Sequence, residues 1–183
     1  MRFRVVASIL LAAVVSVLPI AAQQAQTQPP LRRPDIHWVP TPPPVVDAML
    51  KLADVKPADV VYDLGCGDGV IVATAAQKYG ARAVGIDIDP QRVKEATERA
   101  QKMGVSDKVE IRQGDLFEAD IKDATVVTLY LLRSLNIKLM PKLKKELKPG
   151  TRVVSQSFDM GEEWPPEKTI EVDGRNVYLW TIK

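Results

Sequence analysis

From Val45 onward the apolar positions of the chain switch repeatedly between two spacings. "VVDAMLKLA", 45–53, repeats at helical spacing behind Pro43-Pro44, and proline suits the first turn of a helix. The apolar run at 59–64 predicts a buried strand. Helical spacing returns at about 69–79, a strand at 82–87, and a helix at about 90–103 with Pro90 in its first turn. Strands follow at 108–113 and at 124–131, "ATVVTLYL". "IKLMPKLKKELK" predicts a helix interrupted by Pro141, and "TRVVSQSF", 151–158, a fifth strand. "KTIEVDGRNVYLWTI" reads as a hairpin turning at Asp173-Gly174. Strands alternating with helices and ending in a hairpin predict an α/β fold, its mostly parallel sheet carrying an antiparallel edge. Ligands of such sheets sit at the carboxyl ends of the strands, where strand order reverses.

The first 37 residues follow a different pattern. Arg2 and Arg4 precede an apolar run from Val5 to Leu18, and Pro19, Ala21 and Ala22 close it. A basic start, a short apolar region and a small-residue exit are the pattern of a secretory signal peptide. Read to Ala22, the run approaches the ~20 residues of a membrane anchor. Residues 1–22 are therefore expected to be a cleaved signal or an anchor associated with a membrane. Residues 23–37, rich in Gln and Pro, read as a flexible linker that includes His37. The folded domain is expected over 38–183. The domain is expected to be exported or anchored to a membrane through its N-terminus, and an anchored domain on the cytoplasmic side stays open as one reading. The basic residues ahead of the apolar run put the C-terminal side outside.

Composition then narrows the chemistry. A chain of 183 residues, 46% of them hydrophobic, can form about one domain with its own core. A net charge of +2 provides no electrostatic reason for a nucleic-acid partner. Cys66 and His37 are the only residues of their kinds. This excludes an internal disulfide, a thiolate zinc cluster and a histidine-rich metal site, and no metal is expected.

The candidate chemistry centres on "VVYDLGCGDG", 60–69, a strand that runs into alternating glycines. Gly65, Gly67 and Gly69 let backbone approach a ligand closely. A phosphate loop would continue Gly-Lys-Ser/Thr, but Val70 and Ile71 follow here. The glycines also miss the dinucleotide spacing. Asp63 and Asp68 suit a cation better than a pyrophosphate, which points to a sulfonium and its attached amino group. Asp87 ends the second strand 22 residues beyond Gly65, where a carboxylate can take both ribose hydroxyls. Asp115, in "RQGDLF" after the third strand, could take the exocyclic amine of an adenine. Together these groups outline a site for a positively charged adenosine derivative.

"YDLGCGDG", "GIDIDP", "GDLFEAD" and "LKPGTRVV" resemble, in order, the motifs of class I S-adenosylmethionine-dependent methyltransferases. The resemblance runs from about Trp38 to the C-terminus. It implies a doubly wound seven-strand sheet, S-adenosylmethionine as cofactor, and cofactor contacts that include Ile88 and Leu116 beside the aspartates, and Cys66 within the loop. "WVPTPPPVVDAML", "VVTLYLL", "FDMGEEWPP" and "NVYLW" further resemble the small seven-strand protein lysine methyltransferases. That likeness implies that Val39, Pro40 and Thr41 fold over the cofactor. It also implies that residues after the fourth strand line an acceptor channel.

Three acceptor chemistries are disfavoured. The fourth strand leads into "TLYLLRS", without the Asn/Asp-Pro-Pro-Tyr of adenine amino-methylation. The one cysteine lies in the cofactor loop, away from where a cytosine nucleophile would be needed, and Thr128, Leu129 and Tyr130 replace a catechol-type magnesium carboxylate. Direct transfer to an amine remains, a protein lysine or a small amine, with Tyr130, Trp164 and, less directly, Asp159 as candidates to line the channel. A non-catalytic adenosine-ligand binding protein is the alternative. Structural roles compete at several positions. Asp63 could tie down the turn, Asp68 and Asp89 could cap helices, and Tyr130 and Trp164 could simply pack. The lysines from Lys138 to Lys148 suit a solvated helix face.

Overall fold

The structure is a computed structural model that describes Leu31, Arg33, Pro34 and residues 37–183. The signal or anchor over 1–22 and most of the linker lie outside the described residues. Among those described, no helix is long and apolar enough to cross a membrane.

Seven strands form one sheet in the order β3-β2-β1-β4-β5-β7-β6. In chain order the elements are α1 (Pro43–Leu52), β1 (Val60–Leu64), α2 (Val70–Tyr79), β2 (Arg82–Asp87), α3 (Pro90–Lys102) and β3 (Val109–Gln113). They continue with β4 (Val126–Leu129), α4 (Arg133–Glu146), β5 (Arg152–Gln156), β6 (Lys168–Val172) and β7 (Arg175–Thr181). The direction of winding reverses between β1 and β4, which pair in parallel from Val61↔Val126 to Leu64↔Leu129. The doubly wound seven-strand fold is therefore present, and its switch point lies beside the glycine loop.

Side-chain alternation along the strands feeds two cores. Val61, Val126, Val154 and Val177 face one way and bury α1 and α2 through Val46, Leu50 and Ile71. Tyr62, Val127, Val153 and Trp180 face the other way, under Leu139 and Leu143 of α4 and the segment carrying Ile121. Burying a Leu or Val side chain contributes about 1.5–3 kcal/mol, so each face fixes its helices firmly.

Three expectations need correction. Pro141 does not interrupt the fourth helix, which runs from Arg133 to Glu146 with Pro141 inside it. The proline is exposed, and Leu139, Met140 and Leu143 beside it are buried, which offsets the lost helix bond. The hairpin forms as expected, with Asp173 at φ 51° and Gly174 at φ 67°. Its returning strand β7, however, is inserted between β5 and β6, so the edge strand β6 runs parallel to the rest. The fourth and fifth strands also end earlier than their apolar runs. Leu129 closes β4, and Ser157 at φ 65° stops β5 after Gln156.

Candidate active site

Every element that ends at the switch point contributes to one cavity of about 1170 Å³ at the carboxyl edge of the sheet. It brings together the expected site residues, with Pro40, Gly67, Gly69, Asp159 and Trp164 outside its lining.

The glycine loop builds the floor. Gly65 and Cys66 donate their N–H groups to the Ile86 carbonyl at 2.8 and 3.0 Å, which ties the loop to β2. Gly67 N–H donates to Asp87 Oδ2 at 2.8 Å, Gly69 N–H to the Cys66 carbonyl at 2.9 Å, and Val70 N–H to Asp68 Oδ1 at 3.3 Å. With these donors engaged inside the protein, the loop is not the amide cradle a phosphate needs. Gly67, at φ 53°, is required for a second reason. A Cβ there would lie 2.0 Å from Nε1 of Trp38, whose ring covers the loop. The same ring lies under the Arg92 guanidinium, 4.5 Å from its centroid.

Carboxylates dominate one end. Asp87 divides its two oxygens between Gly67 N–H and Asp89 N–H, the latter at 2.9 Å. Each oxygen keeps a lone pair for a ribose hydroxyl. Asp89 caps α3 by accepting from Gln91 N–H at 2.8 Å. Asp68 is bonded to the Arg99 side chain, which also donates to the Asp68 carbonyl at 2.8 Å, so it joins the loop to α3. Asp115 lines the cavity while its Oδ1 accepts from Phe117 N–H at 2.9 Å.

Asp63 differs from its neighbours. It is buried at 3% exposure and accepts one hydrogen bond from Thr128 Oγ1 at 2.8 Å, not from the backbone of the turn. Burial foremost, with the negative charges of Asp87 and Asp68, pushes its pKa up to about 7 against the pull of the Thr128 hydroxyl. A carboxyl in this condition is stabilised by an incoming cation. Cys66 beside it is buried, its thiol pushed up by burial and by the charges of Asp63 and Asp87, which makes it a packing residue rather than a nucleophile.

The other end is apolar. Tyr130, Leu131, Leu132 and Leu135 follow β4, and Phe158 follows β5. Tyr130 and Phe158 lie nearly parallel, ring centroids 6.5 Å apart at 22°. Trp164 is elsewhere. It packs on Trp180 at 5.8 Å, its carbonyl accepts the Trp180 indole N–H at 2.8 Å, and Lys144 lies over its ring. It is therefore a half-buried residue packed against the hairpin from the segment before it. Asp159 pairs with Arg133 at 2.7 Å and supports the turn instead of lining the channel.

Several lining residues carry no obvious sequence signal. Arg33, Pro34 and His37 reach the cavity from the stretch read as linker, because Trp38 anchors that stretch to the glycine loop. Phe158 ends one strand pattern and opens "FDMGEEWPP", and neither marks it as a lining residue.

The cavity's chemistry agrees with the comparisons. Residues 63–168 match the family model described as the ANTKMT methyltransferase domain. A protein-lysine N-methyltransferase of Saccharolobus islandicus (strain REY15A) is 48% identical over 154 residues, 81% of this chain and 95% of the relative. A human lysine N-methyltransferase, named for a component of ATP synthase, is 29% identical over 139 residues, 76% of this chain and 58% of the human protein. A crystal structure of an RNA methyltransferase from Salinibacter ruber, in complex with S-adenosyl-L-homocysteine, is 62% identical. It superposes with a TM-score of 0.77 over 79% of this chain and 94% of that one. A site that places carboxylates, without an amide cradle, around an adenosine ligand is what a sulfonium cofactor requires. The chain belongs to the ANTKMT methyltransferase-domain family and is an S-adenosylmethionine-dependent methyltransferase.

Proposed function

We propose that the acceptor is an amine on an aliphatic chain, a protein lysine before a small amine. The observation that carries this reading is the cavity's division into a carboxylate end and an apolar, aromatic end. Asp63, Asp87 and Asp115 would hold the cofactor's ammonium, ribose and adenine, with Ile88 and Leu116 beside the ring and Val39 and Thr41 above it. S-adenosylmethionine supplies a methyl group already activated on a positively charged sulfur. The protein's part is then alignment and exclusion of water. A lysine is protonated in water, and an apolar lining lowers its pKa toward the neutral amine that can attack. Tyr130, Leu131, Leu135 and Phe158 provide that lining. Tyr130, which lines this end of the cavity, would touch the reacting nitrogen.

The names of two relatives support lysine, and that of the Salinibacter ruber protein supports RNA. The aromatic pair could stack a base. Charge argues against this, because Arg2 and Arg4 account for the whole excess of 25 basic over 23 acidic residues. From Leu31 onward the chain is electrically balanced, with no long-range pull on a phosphate backbone. The test is methyl transfer from labelled S-adenosylmethionine to poly-L-lysine, with poly-L-arginine and transfer RNA as parallel acceptors. Methyllysine after acid hydrolysis is the expected product. Label confined to RNA would replace this reading.

The N-terminal pattern supports a second element of the proposal, a domain over 38–183 carried outside the cytoplasm or tethered to a membrane by residues 1–22. Cell fractionation with N-terminal sequencing of the mature protein tests it. An intact Met1 in the soluble cytoplasmic fraction would dismiss it.

A further inference from the structure

Three consecutive residues after β5, Ser157, Phe158 and Asp159, are held more tightly than a connection between two strands requires. Ser157 adopts φ 65°, uncommon for a residue with a Cβ, and Phe158 N–H closes a three-residue turn on the Gln156 carbonyl at 2.8 Å. The Phe158 carbonyl accepts from Ser155 Oγ at 2.6 Å and from Asn136 Nδ2 at 2.9 Å. Asn136, on α4, also donates to Ser155 Oγ at 3.1 Å and reaches the Asp159 carbonyl at 3.4 Å. Arg133, from the first turn of α4, holds the Asp159 carboxylate. Three buried polar atoms without a partner lie at the base of this turn: Asn136 Oδ1 and both amide atoms of Gln156. Leaving such groups unsatisfied is costly, and such costs concentrate where geometry serves a ligand.

What this construction presents to the cavity is one side chain, the ring of Phe158, set nearly parallel to Tyr130 from the neighbouring strand end. The geometry points to Phe158, with Tyr130, as the grip on the acceptor's alkylammonium chain, and to Asn136 and Ser155 as the positioning residues that fix it. The inference rests on the amine reading above and deepens it. The two rings supply apolar surface for the methylenes of the neutral amine and negative π faces for the cation that each methyl transfer leaves on its nitrogen. Because the Asn136 side chain bonds, among the described residues, only to the turn and Ser155, its effect on the acceptor passes through Phe158.

The probe is pentyltrimethylammonium, which has a lysine-like chain and cannot accept a methyl group. Its binding is measured by calorimetry to the full chain saturated with S-adenosylhomocysteine. Phe158→Ala should weaken the probe about tenfold, the loss of one aromatic face. S-adenosylhomocysteine affinity should stay within about twofold, since Phe158 belongs to the other end of the cavity. Phe158→Tyr should restore probe binding. Asn136→Leu should raise the probe's Kd, and KM for poly-L-lysine more than it lowers kcat. An Asn136 that was merely structural would lower cofactor and probe binding together. Unchanged probe affinity in Phe158→Ala, or no binding of the probe to the wild type, overturns the inference while poly-L-lysine methylation is judged separately. Probe binding that depends on Phe158 in a protein that methylates no lysine upholds the aromatic grip and sinks the lysine reading instead.

Discussion

Asp59 and Asp63 stand four residues apart at opposite ends of β1, both buried, at 8% and 3% exposure. They have opposite electrostatic surroundings. Around Asp59 the sheet supplies Arg152 Nη2 at 2.7 Å, Thr125 Oγ1 at 2.7 Å and Lys56 N–H at 2.8 Å. Burial raises the Asp59 carboxyl's pKa, but these donors and the guanidinium charge outweigh it and hold the carboxyl below its usual range. Around Asp63 one hydroxyl is offered and the nearby charges are negative. The amino-terminal edge of the sheet is therefore completed by its own residues, whereas the carboxyl edge leaves Asp63 suited to a cationic ligand. Stability is concentrated at one end of the strand and binding capacity at the other.

The largest expected effect breaks the functional member. Asp63→Asn keeps an acceptor for Thr128 and removes the charge. S-adenosylmethionine affinity should fall roughly a hundredfold, the loss of a charge-assisted contact in a buried site. S-adenosylhomocysteine, which keeps the same ammonium, should lose a comparable factor. Calorimetry at pH 8 with both ligands decides this, and unchanged affinity for both would show that Asp63 does not hold the cofactor's ammonium.

Breaking the structural member comes next. Asp59→Asn leaves the Arg152 guanidinium partly buried without its carboxylate and should cost about 2 kcal/mol in urea unfolding. Cofactor affinity should stay within about twofold of wild type, because the pair lies at the far end of the sheet. A parallel fall in both would dissolve the contrast between the two edges.

The sequence separates these aspartates only in part. Asp63 and Asp87 could be placed at one cavity because a glycine loop and a strand-end carboxylate are local patterns, read against a topology that alternation makes plain. The partner of Asp59 is 93 positions away, and no spacing rule brings Arg152 to it. Phe158 and Trp164 were confused for the same kind of reason. Both follow β5, but only the turn at Ser157 and the insertion of β7 decide which aromatic meets the cavity and which meets Trp180. Trp38 was legible as the start of the fold, not as the cover of Gly67, because that contact joins segments 29 residues apart (67 − 38).

The smallest expected effect is a dependence on pH that runs in opposite directions for the two residues. Asp63 is raised, so in the ligand-free protein its stabilising form is the protonated one, fully present below the unfolded value of 3.8 and lost as pH rises through about 7. Between pH 6 and pH 8 the ligand-free wild type should lose about 1 kcal/mol through this residue. Asp63→Asn should lose none of it, so its unfolding midpoint at pH 8 should stand above that of the wild type. Asp59 is lowered, so its contribution is present above 3.8 and disappears as pH falls through its depressed folded value. Saturating S-adenosylmethionine should flatten the wild-type slope between pH 6 and 8, because the bound cation favours the ionised carboxylate and draws the Asp63 pKa down. Thermal unfolding at pH 6, 7 and 8, with and without cofactor, measures it directly. A wild-type slope that matches Asp63→Asn in the ligand-free state would mean Asp63 is already ionised there, and the carboxyl edge would then need a resident cation in place of the cofactor's charge.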